Sequence, residues 1–181
     1  MPLQFTKNQI LILKTFFNNP HKSYYLRELA RILGKEPGVF QRDINKLENE
    51  GFLKSHFQAR SRFFALNKNH PLYAELRSIF SKTVGIEAIL KRALSKVKGV
   101  SSAFIYGSYA QNTEGVLSDI DMFVVGKVNE DKLIDVISQL EKQIDREINY
   151  TLLTEEEFHK KIEERNSFLK NVLSKQTIKL L

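Results

Sequence analysis

The chain of 181 residues contains no cysteine, so disulfides and thiolate metal sites are excluded and the reducing cytosol is the expected compartment. Long apolar runs are missing too. No stretch approaches the ~18–20 residues needed to span a bilayer, and the opening Met1-Pro2-Leu3-Gln4-Phe5-Thr6-Lys7 lacks the pattern of a signal peptide. A cytoplasmic protein without a membrane segment is therefore expected. Histidine is scarce, and His21, His56, His70 and His159 form no ligand spacing. There is no Walker-type phosphate loop, no Ser-His-Asp set, no zinc pattern and no internal repeat. Acidic residues are few at the front: residues 1–70 hold 12 Lys/Arg against 5 Asp/Glu, whereas residues 71–181 hold 16 of each. The formal excess of +7 thus lies in the first seventy residues. A basic module joined to a neutral one points to nucleic-acid binding attached to a second activity.

Within the basic module, Ile10, Leu11, Leu13, Phe16 and Phe17 recur at helical spacing after Thr6, a residue suited to an N-cap. Asn18-Asn19-Pro20 ends that helix. A second short helix is predicted over Tyr24–Leu33 with Gly34 as its stop, and a third from Pro37 to Asn49, closed by Gly51. On the third helix Phe40, Ile44 and Leu47 share a core face, while Gln41, Arg42, Asn45 and Asn49 lie opposite, flanked by Lys46. Phe52–Phe57 and Arg62–Leu66 read as two strands around the polar, basic turn Gln58-Ala59-Arg60-Ser61. Three helices followed by a β-hairpin resemble a winged helix-turn-helix, which would place the third helix in the major groove of double-stranded DNA. Gln41, Arg42, Asn45 and Lys46 are then the candidate groove residues, and Arg60 and Arg62 the candidate phosphate contacts.

Residues 71–97 are strongly helical. Leu72, Leu76, Ile79, Ile86, Leu90, Ala93 and Val97 step by fours and threes, which suits core packing first and a homodimer seam second. Gly85 argues for a break into two helices. Beyond Gly99 the pattern becomes α/β. It predicts a strand Val100–Tyr106, a short helix Tyr109–Thr113, a strand Ile120–Val125, a helix Asp131–Ile144 and a strand Glu147–Leu153. A helix capped by Thr154 and a final amphipathic segment, Phe168–Leu181, follow.

The chemically informative feature is Ser118-Asp119-Ile120-Asp121, read with Gly107-Ser108 upstream. Residues i and i+2 of a strand face one side, so both carboxylates lie together on an otherwise apolar strand. Two adjacent anions there are costly unless a cation neutralises them.

Strand, Gly107-Ser108, helix, and a strand bearing Asp119-x-Asp121 together resemble the minimal nucleotidyltransferases of the DNA polymerase β-like superfamily, over roughly residues 99–165. The resemblance implies a nucleoside triphosphate substrate, ATP above all, bound at Gly107 and Ser108. It also implies Mg²⁺ or Mn²⁺ held by Asp119, Asp121 and a third carboxylate from a neighbouring strand. Glu147 is favoured for that place, with Asn149 on the same side as the alternative and Asp145 a weaker candidate. The chain departs from the family pattern after Gly-Ser, where Tyr109 stands for a basic residue and Asn112 for a glycine. Asn112 tolerates left-handed backbone angles, and Arg146 is a candidate for the missing cation.

The expected fold class is accordingly α+β in two domains: an N-terminal winged helix-turn-helix (1–70), linking helices (71–98), and a small mixed-sheet nucleotidyltransferase domain with flanking helices (99–181). The function implied is transfer of a nucleoside monophosphate from an NTP to an acceptor hydroxyl. Small domains of this kind modify proteins, antibiotics or RNA, and some act as antitoxins by adenylylating a helical toxin, so a protein acceptor or toxin is an expected partner. The competing expectation is a DNA-binding regulator that only senses nucleotide. A third is a structural partner docking through the Leu72–Val97 helices.

Overall fold

The computed structural model describes residues 4–113, 115 and 118–181. Residues Met1-Pro2-Leu3, on which the reading of the N-terminus as no signal peptide partly rests, lie outside the described residues. The chain divides into two compact units, residues 1–85 and 86–181.

The first unit begins with helix α1 (Lys7–Asn18), capped as the sequence predicts. The Thr6 hydroxyl accepts from the Gln9 N–H, and the Gln9 side chain accepts from the Thr6 N–H in return. The second predicted helix starts two residues later than expected. Tyr24–Tyr25 is instead a short strand, β1, and helix α2 covers Leu26–Ile32. The reason is non-local: Tyr24 and Tyr25 pair antiparallel with Phe64 and Phe63, and Tyr24 turns its ring edge onto Phe16. Helix α3 (Pro37–Asn49) has the predicted bounds and buries Phe40, Ile44 and Leu47. Strands β2 (Leu53–Gln58) and β3 (Ser61–Leu66) form the hairpin, with Ala59 and Arg60 at its tip.

The predicted break at Gly85 is present. It separates helix α4 (Tyr73–Thr83) from helix α5 (Ile86–Leu94). Leu76 and Phe80 of α4 belong to the core of the first unit, while Ile86, Leu90 and Leu94 belong to that of the second. Within the predicted stripe Ile79 is 54% exposed, and its neighbour Phe80 is buried instead.

The second unit is built on a four-stranded sheet. Its strands are β4 (Val100–Tyr106), β5 (Ile120–Gly126), β6 (Ile148–Leu153) and β7 (Ile178–Lys179), in the order β6-β5-β4-β7. β4 and β5 run antiparallel and β5 and β6 parallel, so the sheet is mixed, as predicted. The parallel pair is connected through helix α7 (Glu130–Ile144), capped by Asn129. On one sheet face Ile105, Ile120, Met122 and Val124 meet Leu90 of α5 and Leu133, Ile137 and Leu140 of α7. On the other, Phe104, Phe123 and Leu153 meet Leu169 and Val172 of helix α9 (Ser167–Leu173), with Phe158 of helix α8 (Glu155–Glu163) beside them. β7 was not foreseen: the final segment read as one amphipathic stretch ends in a strand that pairs with Phe104 and Ile105. Among the described residues, no helix is long and apolar enough to cross a membrane.

Candidate active site

Chain direction places the site at the end of β4 and the start of β5. β4 runs into the four-residue helix α6 (Gly107–Ala110), which starts at Gly107 itself rather than at Tyr109 as predicted. The register sets Tyr106 of β4 and Asn149 of β6 on either side of Asp121. Alternation then puts Asp119, Asp121 and Phe123 on the same face, the one that carries the Phe104–Phe123–Leu169 cluster further along. The carboxylates therefore stand where the aromatic layer of that face gives way to solvent.

Gly107 is fitted against Asp121. Its φ of +75° lies in the left-handed region, and a Cβ built on it would overlap Asp121 Oδ2 and lie 3.3 Å from Asp121 Cγ. The backbone angle favours glycine here, and any side chain would also require the Asp121 carboxylate to move. Behind it, the Ser108 carbonyl accepts from the Thr113 N–H at 3.0 Å, and Asn112 has φ +58°. Asparagine thus adopts the left-handed turn that a glycine would serve, as its chemistry allows. The Ser108 hydroxyl is half-buried and holds no hydrogen bond among the described residues.

Electrostatically the pair is unsatisfied. Burial, and after it the charge of Asp119, hold the Asp121 carboxyl above its ordinary value, while hydrogen bonding from Asn149 pulls the other way. The Asn149 amide donates from Nδ2 to Asp119 Oδ2 at 3.1 Å. Tyr106, opposite Asp121, has its phenol raised by burial and then by Asp121, with a hydrogen bond to Thr151 opposing. Tyr106 packs on Phe123 at 5.1 Å and meets Phe168 edge-on at 5.9 Å.

Of the predicted site residues, Gly107, Asp119 and Asp121 come together. Asn149 occupies the strand position facing them. Glu147 lies one residue before β6, exposed, where its carbonyl accepts from the Ile120 N–H at 2.9 Å. Among the described residues, no group of three His, Cys, Asp or Glu is arranged to hold a metal ion, so Glu147 is not brought into a cluster with the two aspartates. Asp145 is the left-handed C-cap of α7. Arg146 stands over the Tyr109 ring, 5.9 Å from its centroid. Tyr106 and Thr151 were not singled out from the sequence. Their signal was available in strand parity: Tyr106 precedes Gly107, and Thr151 is two residues from Asn149.

In the first unit, Gln41, Arg42 and Lys46 are exposed on α3 and Asn45 is half-buried. Gln41 Nε2 donates to Asn45 Oδ1 at 3.2 Å, and Lys46 faces Glu50 at 3.7 Å. Arg60 is exposed at the hairpin tip. Arg62 is engaged: its Nη2 donates to both Glu48 carboxylate oxygens, at 2.8 and 2.7 Å, its Nε donates to the Ser55 hydroxyl, and its guanidinium lies over the Phe64 ring.

Comparison with known proteins agrees with the geometry of the second unit. The family model described as Polymerase beta, Nucleotidyltransferase matches residues 88–177. A protein of Methanocaldococcus jannaschii named "Putative protein adenylyltransferase" is 36% identical over 89 residues, which are 49% of this chain and 87% of that relative. Among solved structures, a toxin-antitoxin with AMP-PNP is 18% identical over 52% of this chain and 72% of its own, with a TM-score of 0.38. ZitR of Lactococcus lactis is 18% identical over 54% and 66%, with a TM-score of 0.40. At such scores these two resemblances are partial, each reaching about half of the chain. Carried by the relative's identity and the family match, the assignment is plain: through its second unit, this chain belongs to the Polymerase beta nucleotidyltransferase family.

Proposed function

We propose that the second unit transfers the adenosine monophosphate group of ATP to a hydroxyl of an acceptor protein, the hydroxyl oxygen bonding to the α-phosphorus as pyrophosphate leaves and the hydroxyl proton is released. The observation that carries this reading is the Asp119–Asp121 pair set against Gly107. Two half-buried carboxylates on one face, with Asp121 resisting ionisation, are a site whose deficit is positive charge. The donor set fits Mg²⁺ arriving with its nucleotide. That ion takes oxygen ligands, commonly one or two carboxylates alongside phosphate oxygens and water, and Asp119 and Asp121 would hold it. When bound, it supplies charge neutralisation on the phosphates and polarisation of the reacting oxygens.

The remaining work falls to the chain. Gly107, having no Cβ, lets the Asp121 carboxylate lie against the backbone at the start of α6, which sets the carboxylate pair beside Ser108, where a phosphate would bind. Ser108 offers a hydroxyl that has no hydrogen-bond partner among the described residues. Asn149 steadies Asp119 and Tyr106 borders Asp121, which keeps the two carboxylates facing the same way. The name of the Methanocaldococcus jannaschii relative supports a protein acceptor, and a toxin partner is one such acceptor.

The test is incubation of the protein with α-labelled ATP, Mg²⁺ and cell extract. Label should pass to a protein acceptor and be lost in Asp119→Asn and Asp121→Asn. Transfer that survives both substitutions would remove the pair from the reaction.

The first unit is proposed to bind double-stranded DNA, through Gln41, Arg42, Asn45 and Lys46 on α3 and Arg60 and Arg62 on the hairpin. The concentrated positive charge supports it. A second reading has its own support: with the amide Asn149 in place of a third carboxylate, the chain would be a DNA-binding regulator that senses nucleotide without turnover. Nucleotide-dependent DNA binding with no label transfer would establish that reading instead.

A further inference from the structure

Helices α8 and α9 enclose an open groove of about 490 Å³ whose floor and walls are Ile162, Leu169 and Leu173, within the ~300–1,000 Å³ typical of ligand pockets. Leu169 is buried, but Ile162 is 43% and Leu173 45% exposed. Lys161, Arg165 and Lys170 rim the groove, and no carboxylate lines it. Among the described residues neither Arg165 nor Lys170 has an ion-pair partner, and Glu164 of α8 is taken by Lys160 at 3.9 Å. Lys161 feels Glu157 one turn back, so the uncompensated rim charge is that of Arg165 and Lys170, and an apolar trough beside those two cations selects an apolar segment with acidic edges. The helix that walls the groove also reaches the face of the aspartates: Phe168, next to Leu169 on α9, is half-exposed and meets Tyr106, which pairs opposite Asp121.

We propose that this groove docks an amphipathic, acidic segment of the acceptor protein and so delivers its hydroxyl toward Asp119 and Asp121. The proposal deepens the protein-transferase reading and rests on it for the identity of the occupant. An anionic bilayer is disfavoured as the occupant. Surface attraction to such lipids takes clusters of about 4–8 Lys/Arg, whereas the groove is rimmed by Lys161, Arg165 and Lys170 alone and α8 with its C-cap also carries Glu155, Glu156, Glu157, Glu163 and Glu164. A peptide seated in the groove meets a lining without carboxylates.

The experiment uses the full chain and two fluorescein-labelled helical peptides of 18 residues. Both carry leucine at one face, with glutamate on the other face in one peptide and lysine in its match. Anisotropy at low salt should show the glutamate peptide bound about tenfold or more tightly than the lysine peptide, as three partly exposed cations allow. Lys161→Glu/Lys170→Glu should reverse the preference, and Leu173→Asp should abolish binding of the glutamate peptide. The Leu173→Asp variant should keep its thermal shift with ATP and Mg²⁺, which separates loss of the groove from loss of the nucleotide site. Peptide binding that persists in Asp119→Asn/Asp121→Asn while label transfer fails in the wild type would leave the groove standing and sink the enzymatic reading alone. Equal binding of both peptides, binding of neither, a Leu173-dependent affinity for phosphatidylserine vesicles alone, or a dimer that Leu173→Asp converts to monomer would each overturn the proposal.

Discussion

Replacing Gly107 by alanine tests the site at its tightest point. Two costs are predicted. The first is conformational: at φ +75° an L-residue loses about 1–2 kcal/mol relative to glycine. The second is steric. The new methyl would overlap Asp121 Oδ2, and with Asp121 Cγ only 3.3 Å away the carboxylate must rotate, at about 0.5–1.5 kcal/mol for an off-rotamer side chain. Together they amount to roughly 1.5–3.5 kcal/mol, centred at about 2.5. For a unit of 96 residues, 86–181, that lowers the melting temperature by roughly 10–20 °C, taking about 4–8 °C per kcal/mol. The double-mutant cycle isolates the contact. In an Asp121→Ala background the steric part disappears, so Gly107→Ala should cost only the conformational 1–2 kcal/mol, leaving a coupling of about 0.5–1.5 kcal/mol. Denaturant melts of the four proteins measure it. An equal cost in both backgrounds would show that Gly107 is not fitted to Asp121, and no cost in either would refute the strained backbone as well.

Asp121 predicts a pH signature. Its carboxyl is held above the ordinary value, so the folded state binds that proton more tightly than the unfolded chain does. The stability it contributes is fully present below the unfolded value and is lost as pH rises through the folded one. Asp121→Asn should therefore be more stable than wild type at pH 7, with the difference vanishing on acidification; a difference independent of pH in urea melts would contradict the cause assigned. Asn149→Asp should do the reverse, exchanging the 3.1 Å bond to Asp119 for a third anion at a cost of roughly 1–4 kcal/mol, the span between effective dielectrics of 80 and 20 at about 4 Å. Added Mg²⁺ should recover much of that loss in a thermal melt, and no recovery would argue against a cation site. On the hairpin, Arg62→Ala should cost about 1–2 kcal/mol from its Glu48 fork and its contact with Phe64. Arg60→Ala should be nearly neutral for stability but reduce the salt slope of duplex binding by about one, more than Arg62→Ala does. Equal slopes for the two variants would count against this division of roles.

How far the fold could be read beforehand follows from the range of the interactions involved. α3 and β4 have their predicted bounds, and α1 begins directly after the predicted Thr6 cap, because their signals are local: Pro37 at a first turn, Thr6 beside Gln9, an apolar run entering Gly107. β1 and β7 escaped because each is two residues long and exists only through the edge it pairs with, Phe63–Phe64 for one and Phe104–Ile105 for the other. A window around Tyr24 or Ile178 holds no trace of those partners.

The third site position shows the same limit more sharply. Glu147 and Asn149 share a parity, so either satisfies the alternation that puts a side chain on the face of Asp119 and Asp121. A slip of one residue would turn Ile148, Tyr150 and Leu152 to the wrong side and is forbidden by the core. A slip of two would preserve every face and bring Glu147 opposite Asp121. Hydrophobic patterning cannot choose between those two registers. The choice is made by pairing with a strand distant in sequence, Ile120 aligned with Ile148 and its N–H bonded to the Glu147 carbonyl, supported by Glu141 of α7, seven residues back, accepting from the Ile148 N–H at 2.8 Å. Those bonds pin the start of β6 and set an amide, not a carboxylate, against Asp121. The strand position against Asp121 consequently adds a donor turned toward Asp119 and no third anion, a balance that the proposed divalent ion, arriving with its nucleotide, would suit.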